Sequence, residues 1–321
     1  MTAEQLPGVS VIDPISPAIE KVKVILFAPF ELRKWFIIGF CAWLAYLGSG
    51  GIGPGFNFPY GNRQADFEPD QFLLRARDFI LDNLPWVVLG ASIGLIIMII
   101  LWLIITWLSS RGRFMFLYCV AQNKAEIKLP WHKFRQQGNS LFLFRIAVSI
   151  ASWVFFALLT AMIAFFIFLL SRSHAPIRVP AILVLILLFF IVAVPVAIAF
   201  ALLLKFTKDF VVPIMYLRNA GWTAGWREFW TILSTNKARF TLYIIFQIVI
   251  AMAIGAILMT ATCITCCCAA CVLVIPYIGT VFMLPLLIFK RAYSLCYFRQ
   301  FGPGYDVFRP EIVQHNLVES P

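Results

Sequence analysis

Long apolar runs, separated by short segments rich in basic and aromatic residues, dominate this chain. Crossing a bilayer requires roughly 17–25 mostly apolar residues. Six stretches meet or approach that length: Trp35–Gly51, Pro85–Leu108, Ile146–Leu170, Pro180–Leu204, Phe240–Thr262 and Cys268–Phe289. The pattern predicts an all-α fold, a polytopic membrane bundle of six transmembrane helices. The first run is short and ends among glycines. The sixth carries Pro276 and Pro285, each lacking a backbone donor, which predicts kinks. The expected organisation is a flexible cytoplasmic N-terminus over residues 1–14, a transmembrane domain over residues 15–306 and a flexible cytoplasmic tail over residues 307–321.

Composition excludes the main alternative. Of 321 residues, 62% are hydrophobic and 13% charged, with mean hydropathy +0.90. A soluble domain carries about 25% charged residues, so this chain lacks the polar surface of a water-soluble enzyme. The net charge of +11 reads as topology rather than as a nucleic-acid footprint. With six spans, the Lys and Arg residues concentrate in the N-terminal segment, the 2–3 and 4–5 loops and the tail. The opposite side holds only Arg63, Arg75, Arg77, Arg172 and Arg178. The positive-inside rule then places both termini in the cytoplasm. Residues Met1–Glu20 contain three acids and no base, so the first span is expected to act as an uncleaved insertion signal. The acidic outer loop with Asp66, Glu68 and Asp70 lacks the glycine and terminal glutamate of a calcium-binding loop.

Two stretches repeat. Phe114 aligns with Phe210, Asn123 with Asn219, and a W-x-x-F element at Trp131 and Phe134 with Trp226 and Phe229. A fainter echo pairs Tyr297–Gly302 with Tyr216–Gly221. Each unit is an inward span, a basic elbow and an outward span, running about 85–170 and 180–262. These parallel internal repeats suggest a pseudo-threefold bundle. The elbows are expected to be amphipathic cytoplasmic helices that sink aromatics into the headgroup layer. Arg113, Arg218, Arg227 and Arg299 are the candidates for holding the phosphates of anionic phospholipid. Simple anchoring of the bundle is the alternative reading of the same residues.

Little chemistry is legible inside the spans. None contains Asp, Glu, Lys or His, which argues against proton- or ion-coupled transport. Gln247 is expected to hydrogen-bond between helices, and Arg145 to snorkel to the cytoplasmic interface. Gly90-x-x-x-Gly94 and Ala251-x-x-x-Gly255 read as helix-packing motifs. Cys263, Cys266, Cys267, Cys268 and Cys271 are weak metal or redox candidates. They sit among Ala, Thr and Ile with no base to lower a thiol pKa, so small-residue packing is the stronger reading. The three histidines fall in separate segments, and no metalloprotease, nucleophile-elbow or P-loop motif occurs. No catalytic residue, metal or cofactor is expected.

Three stretches, PFELRKWFIIGFCAWL, FTKDFVVPIMYLRNAG and IPYIGTVFMLPLLIFKRAYSLCYFRQFGPGYD, carry a family resemblance. They resemble uncharacterised prokaryotic six-helix integral membrane proteins, more distantly similar to the membrane domain of some glycerophosphodiester phosphodiesterases. The resemblance spans about Ile15 to Asp306. It implies a cytoplasmic-membrane bundle without phosphodiesterase activity, since the catalytic domain is absent. The expected function is a non-enzymatic membrane protein that binds lipid or a membrane protein partner in a scaffold, assembly or membrane-homeostasis role. The alternative is a passive carrier or permease for a small amphiphile or lipid.

Overall fold

The computed structural model describes residues 9–47, 83–172, 178–265 and 275–309. Among them the fold is helical, without a strand. The elements are α1 (Ile15–Phe27), α2 (Leu32–Tyr46), α3 (Leu84–Gln122), α4 (Lys128–Lys133), α5 (Arg135–Arg172) and α6 (Arg178–Phe206). Helix α6 runs through a π-helical turn at Thr207–Val211 into α7 (Val212–Arg218). Then come α8 (Trp222–Thr235), α9 (Lys237–Ile264), α10 (Pro276–Phe282) and α11 (Leu284–Arg299). The outer loop with Asp66, Glu68 and Asp70, Cys266–Cys271 and residues 310–321 lie outside the described residues.

Four helices are long and apolar enough to cross a membrane: Leu84–Gln122, Arg135–Leu170, Pro180–Arg218 and Lys237–Ile264. At 1.5 Å per residue, the 39 residues of α3 extend about 58 Å, nearly twice the ~30 Å hydrocarbon core. Helices therefore continue well past the ends expected for the second and fourth spans. Nothing in RGRFMFLYCVAQ breaks a helix, and α3 stops only at Asn123, which caps it in the left-handed region at φ 54°. Asn219 ends α7 in the same way at φ 52°. Asparagine tolerates this conformation better than most residues.

The first and sixth expected spans take another form. Helix α2 has 15 residues, about 22 Å, and lies alongside the C-terminal half of α3. Lys34 Nζ donates to Asn123 Oδ1 at 2.8 Å at one end, and Ser109 Oγ donates to the Ala45 carbonyl at 3.2 Å near the other. The described part of the sixth stretch is divided at Met283 into α10 and α11, with Pro285 in the first turn of α11. Neither stretch makes one spanning helix within the described residues.

The core sits at one end of the long helices. Residues 114–120, 210–217 and 292–298 are buried there together with much of α2. Phe210 is central, with ring contacts to Phe206, Phe229, Phe240, Tyr243, Tyr297 and Phe298. Gly112 admits the closest helix approach. A Cβ there would lie 2.6 Å from the Ala45 nitrogen and the Leu44 carbonyl carbon. In contrast, the far halves of the long helices present bare apolar side chains such as Met98, Trp153, Leu187 and Met259.

This placement corrects the expectation for the elbow aromatics. Phe114, Phe116, Tyr118, Phe210 and Tyr216 are buried inside the protein rather than spread in a headgroup layer. Trp222 and Trp226 are half-buried against Phe144. The elbows close over the core because helices from both repeats, α2 and α11 converge on them. Both flanks of the helical core take part in the packing. Ser10 and Gln300 exchange two hydrogen bonds, Tyr293 donates to the Val11 carbonyl, and Val307 is buried. Ser10 and Val11 thus pack against α11.

Candidate functional site

The long helix through α6 carries Lys205 and Asp209 where its pitch changes to the π-helical turn. Asp209 is 5% exposed, and its Oδ2 accepts from Lys205 Nζ at 2.6 Å and from the Tyr243 hydroxyl at 3.0 Å. Gln247 Nε2 donates to the Tyr243 hydroxyl at 3.0 Å, and Gln247 Oε1 accepts from Lys205 Nζ at 3.2 Å. Four side chains thus form a closed ring between α6 and α9. A carboxylate taken out of water requires such partners. Single-turn π-helical segments recur at functional sites because they re-aim side chains within an otherwise regular helix.

Around this ring, cations outnumber carboxylates. Lys208 Nζ sits 3.8 Å from the centroid of the Tyr46 ring, and Arg291 Nη1 donates to the Lys208 carbonyl at 2.6 Å. Arg113 is 8% exposed, and its Nε and Nη1 are buried without a hydrogen-bond partner. Arg145 Nη1 donates across to α3, at the Thr106 carbonyl (3.2 Å) and Ser110 Oγ (3.1 Å). It therefore ties two helices together. Arg111 lies over the Trp107 and Trp131 rings, 4.4 and 4.8 Å from their centroids. Its Nη2 donates to Asn139 Oδ1. Outside the long helices, burial pushes the Lys290 ammonium and Arg291 guanidinium down; Lys205 adds to the first shift and Asp209 opposes both.

Of the four arginines expected to bind phosphate, only Arg113 enters this junction. Arg218 is exposed, pairs with Glu228 at 3.2 Å and lies 5.9 Å from the Tyr305 ring centroid. Arg227 and Arg299 are exposed on α8 and α11. The candidate packing motifs do not mediate contact between the described helices. A Cβ at Gly90, Gly94 or Gly255 would meet nothing within 4 Å, and Ala251 is exposed. They lie on the bare halves of α3 and α9, beyond the packed end. Gln247 is the exception, buried and bonded between helices. Cys263 is exposed and free, and no group of three or more potential metal ligands occurs among the described residues.

A second feature adjoins the junction. Helices α6, α8 and α9 enclose a groove of about 530 Å³. Leu202, Phe206, Trp230 and Ile244 supply apolar walls, while Ser234 and Lys237 supply polar groups. No carboxylate lines it. Its size falls within the usual range for small-molecule sites.

Sequence reasoning missed Lys205, Lys208, Asp209 and Tyr243. The signal was present as two i, i+4 pairs, Lys205/Asp209 and Tyr243/Gln247, which place partners on one face of each helix. Ending the fourth span at Leu204 put the first pair in a solvated loop.

A family model for a family of unknown function matches residues 9–308, close to the packed unit described above. Neither a curated protein nor a solved structure matches the chain. No similarity to glycerophosphodiester phosphodiesterases is found, so that part of the resemblance is without support. The chain belongs to the family of unknown function DUF7544.

Proposed function

We propose that this is a non-enzymatic integral membrane protein that binds one phospholipid with an acidic headgroup in the groove between α6, α8 and α9. The groove itself carries the reading. Its apolar walls suit an acyl chain, and Lys237 with Ser234 suits an anionic headgroup where no lining carboxylate competes. It is continuous with apolar side chains left bare on α9, among them Leu242, Ile245 and Ile248, so a bilayer lipid has a direct approach. Such binding fits a scaffold, assembly or membrane-homeostasis role in a prokaryotic cytoplasmic membrane. The passive-carrier reading gains nothing from Gln247, the polar residue it most needs. That side chain is engaged with Lys205 and Tyr243.

The proposed topology keeps six crossings with cytoplasmic termini. A parallel repeat draws support from two aligned ring pairs. Phe114 stacks on Phe134 at 6.0 Å and 17°, and the aligned Phe210 stacks on Phe229 at 5.3 Å and 8°. The left-handed caps at the aligned Asn123 and Asn219 add to it.

The test is binding of a fluorescent phosphatidylglycerol to the detergent-solubilised full chain. Ser234→Trp, which fills the groove, is expected to abolish saturable binding. Lys237→Gln is expected to remove the preference over phosphatidylcholine. Unchanged binding in both variants refutes the proposal. A stoichiometric protein subunit co-purifying with unaltered lipid binding in both variants makes the partner-binding role the better reading.

A further inference from the structure

Two thiols meet where α2 packs against α3. Cys41 and Cys119 are both fully buried, and both are free. Their Sγ atoms lie 3.8 Å apart, and Cys119 Sγ is 3.7 Å from the Glu126 carbonyl oxygen. The two helices are held in register here. The Lys34–Asn123 bond pins them on one side of the thiol pair, and the Ser109–Ala45 bond pins them on the other. Close backbone approach at Gly112 brings α2 near enough for side chains as short as cysteine to touch across the interface. Neither thiol belongs to the Asp209 ring or to the groove. A disulfide needs its sulfurs about 2.05 Å apart, so about 1.8 Å of travel, shared between two side chains turning about their Cα–Cβ bonds, brings them to bonding distance.

We propose that Cys41 and Cys119 form a redox modification site, at which a peroxide-class oxidant converts the dithiol to a disulfide that locks α2 onto α3. The Cys119 sulfur attacks one peroxide oxygen, the O–O bond breaks, and a sulfenic acid and one water result. The Cys41 sulfur then attacks the sulfenic sulfur. The S–S bond forms, the S–O bond breaks, and the hydroxyl leaves as a second water with the Cys41 proton. Two thiols thus lose two electrons in all, and one hydrogen peroxide is reduced to two waters. Cys119 reacts first because it lies beneath the irregular elbow at residues 123–127, whereas Cys41 sits in mid-helix inside the interface. Local opening of that elbow admits the oxidant and hydrates the thiol, which the nucleophilic thiolate requires. Burial of both sulfurs selects a small neutral oxidant over a bulky or charged one. In the proposed topology this end of the protein faces the cytoplasm, where thiols rest reduced and the disulfides that do form are mostly transient and redox-sensing. The bond would join residues 78 positions apart, so it would restrict the unfolded chain strongly. The site stands or falls independently of lipid binding in the groove.

The experiment treats membranes containing the full chain with hydrogen peroxide, at concentrations that oxidise the same thiols in the detergent-unfolded chain. Remaining thiols are then alkylated under denaturing conditions, and the digested protein is mapped by mass spectrometry. The Cys41 peptide is expected joined to the Cys119 peptide in most chains, and separated from it by dithiothreitol. In the purified chain, oxidation is expected to raise the midpoint of thermal unfolding by roughly 4–8 °C, a rise absent from Cys41→Ser and Cys119→Ser. Recovery of both cysteines as alkylated thiols from the peroxide-treated wild type overturns the proposal, and that result does not depend on any variant folding. An unchanged midpoint in chains shown to carry the cross-link overturns it equally, because the bond then locks nothing.

Discussion

Replacing Asp209 by asparagine tests the buried ring directly. The amide keeps the shape and can still accept from the Tyr243 hydroxyl, but it removes the charge that meets Lys205 at 2.6 Å. Removing one partner of a fully buried ion pair costs about 3–5 kcal/mol. The Lys205 side chain is 27% exposed, so water can reach its ammonium and the cost moves to the low end of that range. We expect a loss of about 3 kcal/mol, roughly a hundredfold in the folding equilibrium. Tyr243→Phe removes a hydrogen bond to a buried carboxylate and is expected to cost about 1.5–3 kcal/mol. The double variant should lose less than the sum, because both changes act on one carboxylate. The assay is reversible unfolding of the detergent-solubilised chain, followed by circular dichroism and by labelling of the buried Cys41 and Cys119 thiols. A loss below about 1 kcal/mol for Asp209→Asn, or full additivity in the cycle, refutes the ring as a coupled buried unit.

Other substitutions probe where the packed end begins and stops. Phe210→Ala, at a residue fully enclosed by aromatic rings, is expected to cost about 3–5 kcal/mol in the same unfolding assay. Gly112→Ala forces a methyl against the α2 backbone, so we expect a loss of at least about 1–3 kcal/mol by that assay. By contrast, Gly90→Ala and Gly255→Ala meet open space among the described residues and are expected to stay within about 1 kcal/mol of wild type, slightly favoured by helix propensity. A marked loss for either, measured alongside the molecular mass by light scattering, would show that a second chain packs there.

Much of the architecture was legible because hydrophobic run length is a strong signal in a bilayer. Spans two to five correspond to the four long apolar helices, and the Phe114/Phe210 and Asn123/Asn219 pairs fall at matching geometric features. The ends of those helices were not legible. Charged residues such as Arg113 and Lys205 read as the edge of a span, whereas the helices continue through them, burying Arg113 and engaging Lys205 with Gln247 of α9. Aromatic residues beside arginines suggested a lipid interface for the same reason. Burial by helices distant in sequence leaves no periodic trace in the elbow itself. The small-residue spacings at Gly90/Gly94 and Ala251/Gly255 meet no neighbour among the described helices, since a small stripe permits close approach but does not require it. The groove was invisible because its walls come from three separate helices.

Native mass spectrometry of the gently solubilised full chain tests the central claim, lipid binding in the groove, most directly. The account predicts one retained acidic phospholipid that is lost on Ser234→Trp and exchanges for zwitterionic lipid on Lys237→Gln. Retention of only a heterogeneous, composition-matched lipid shell, unchanged by both substitutions, would contradict it.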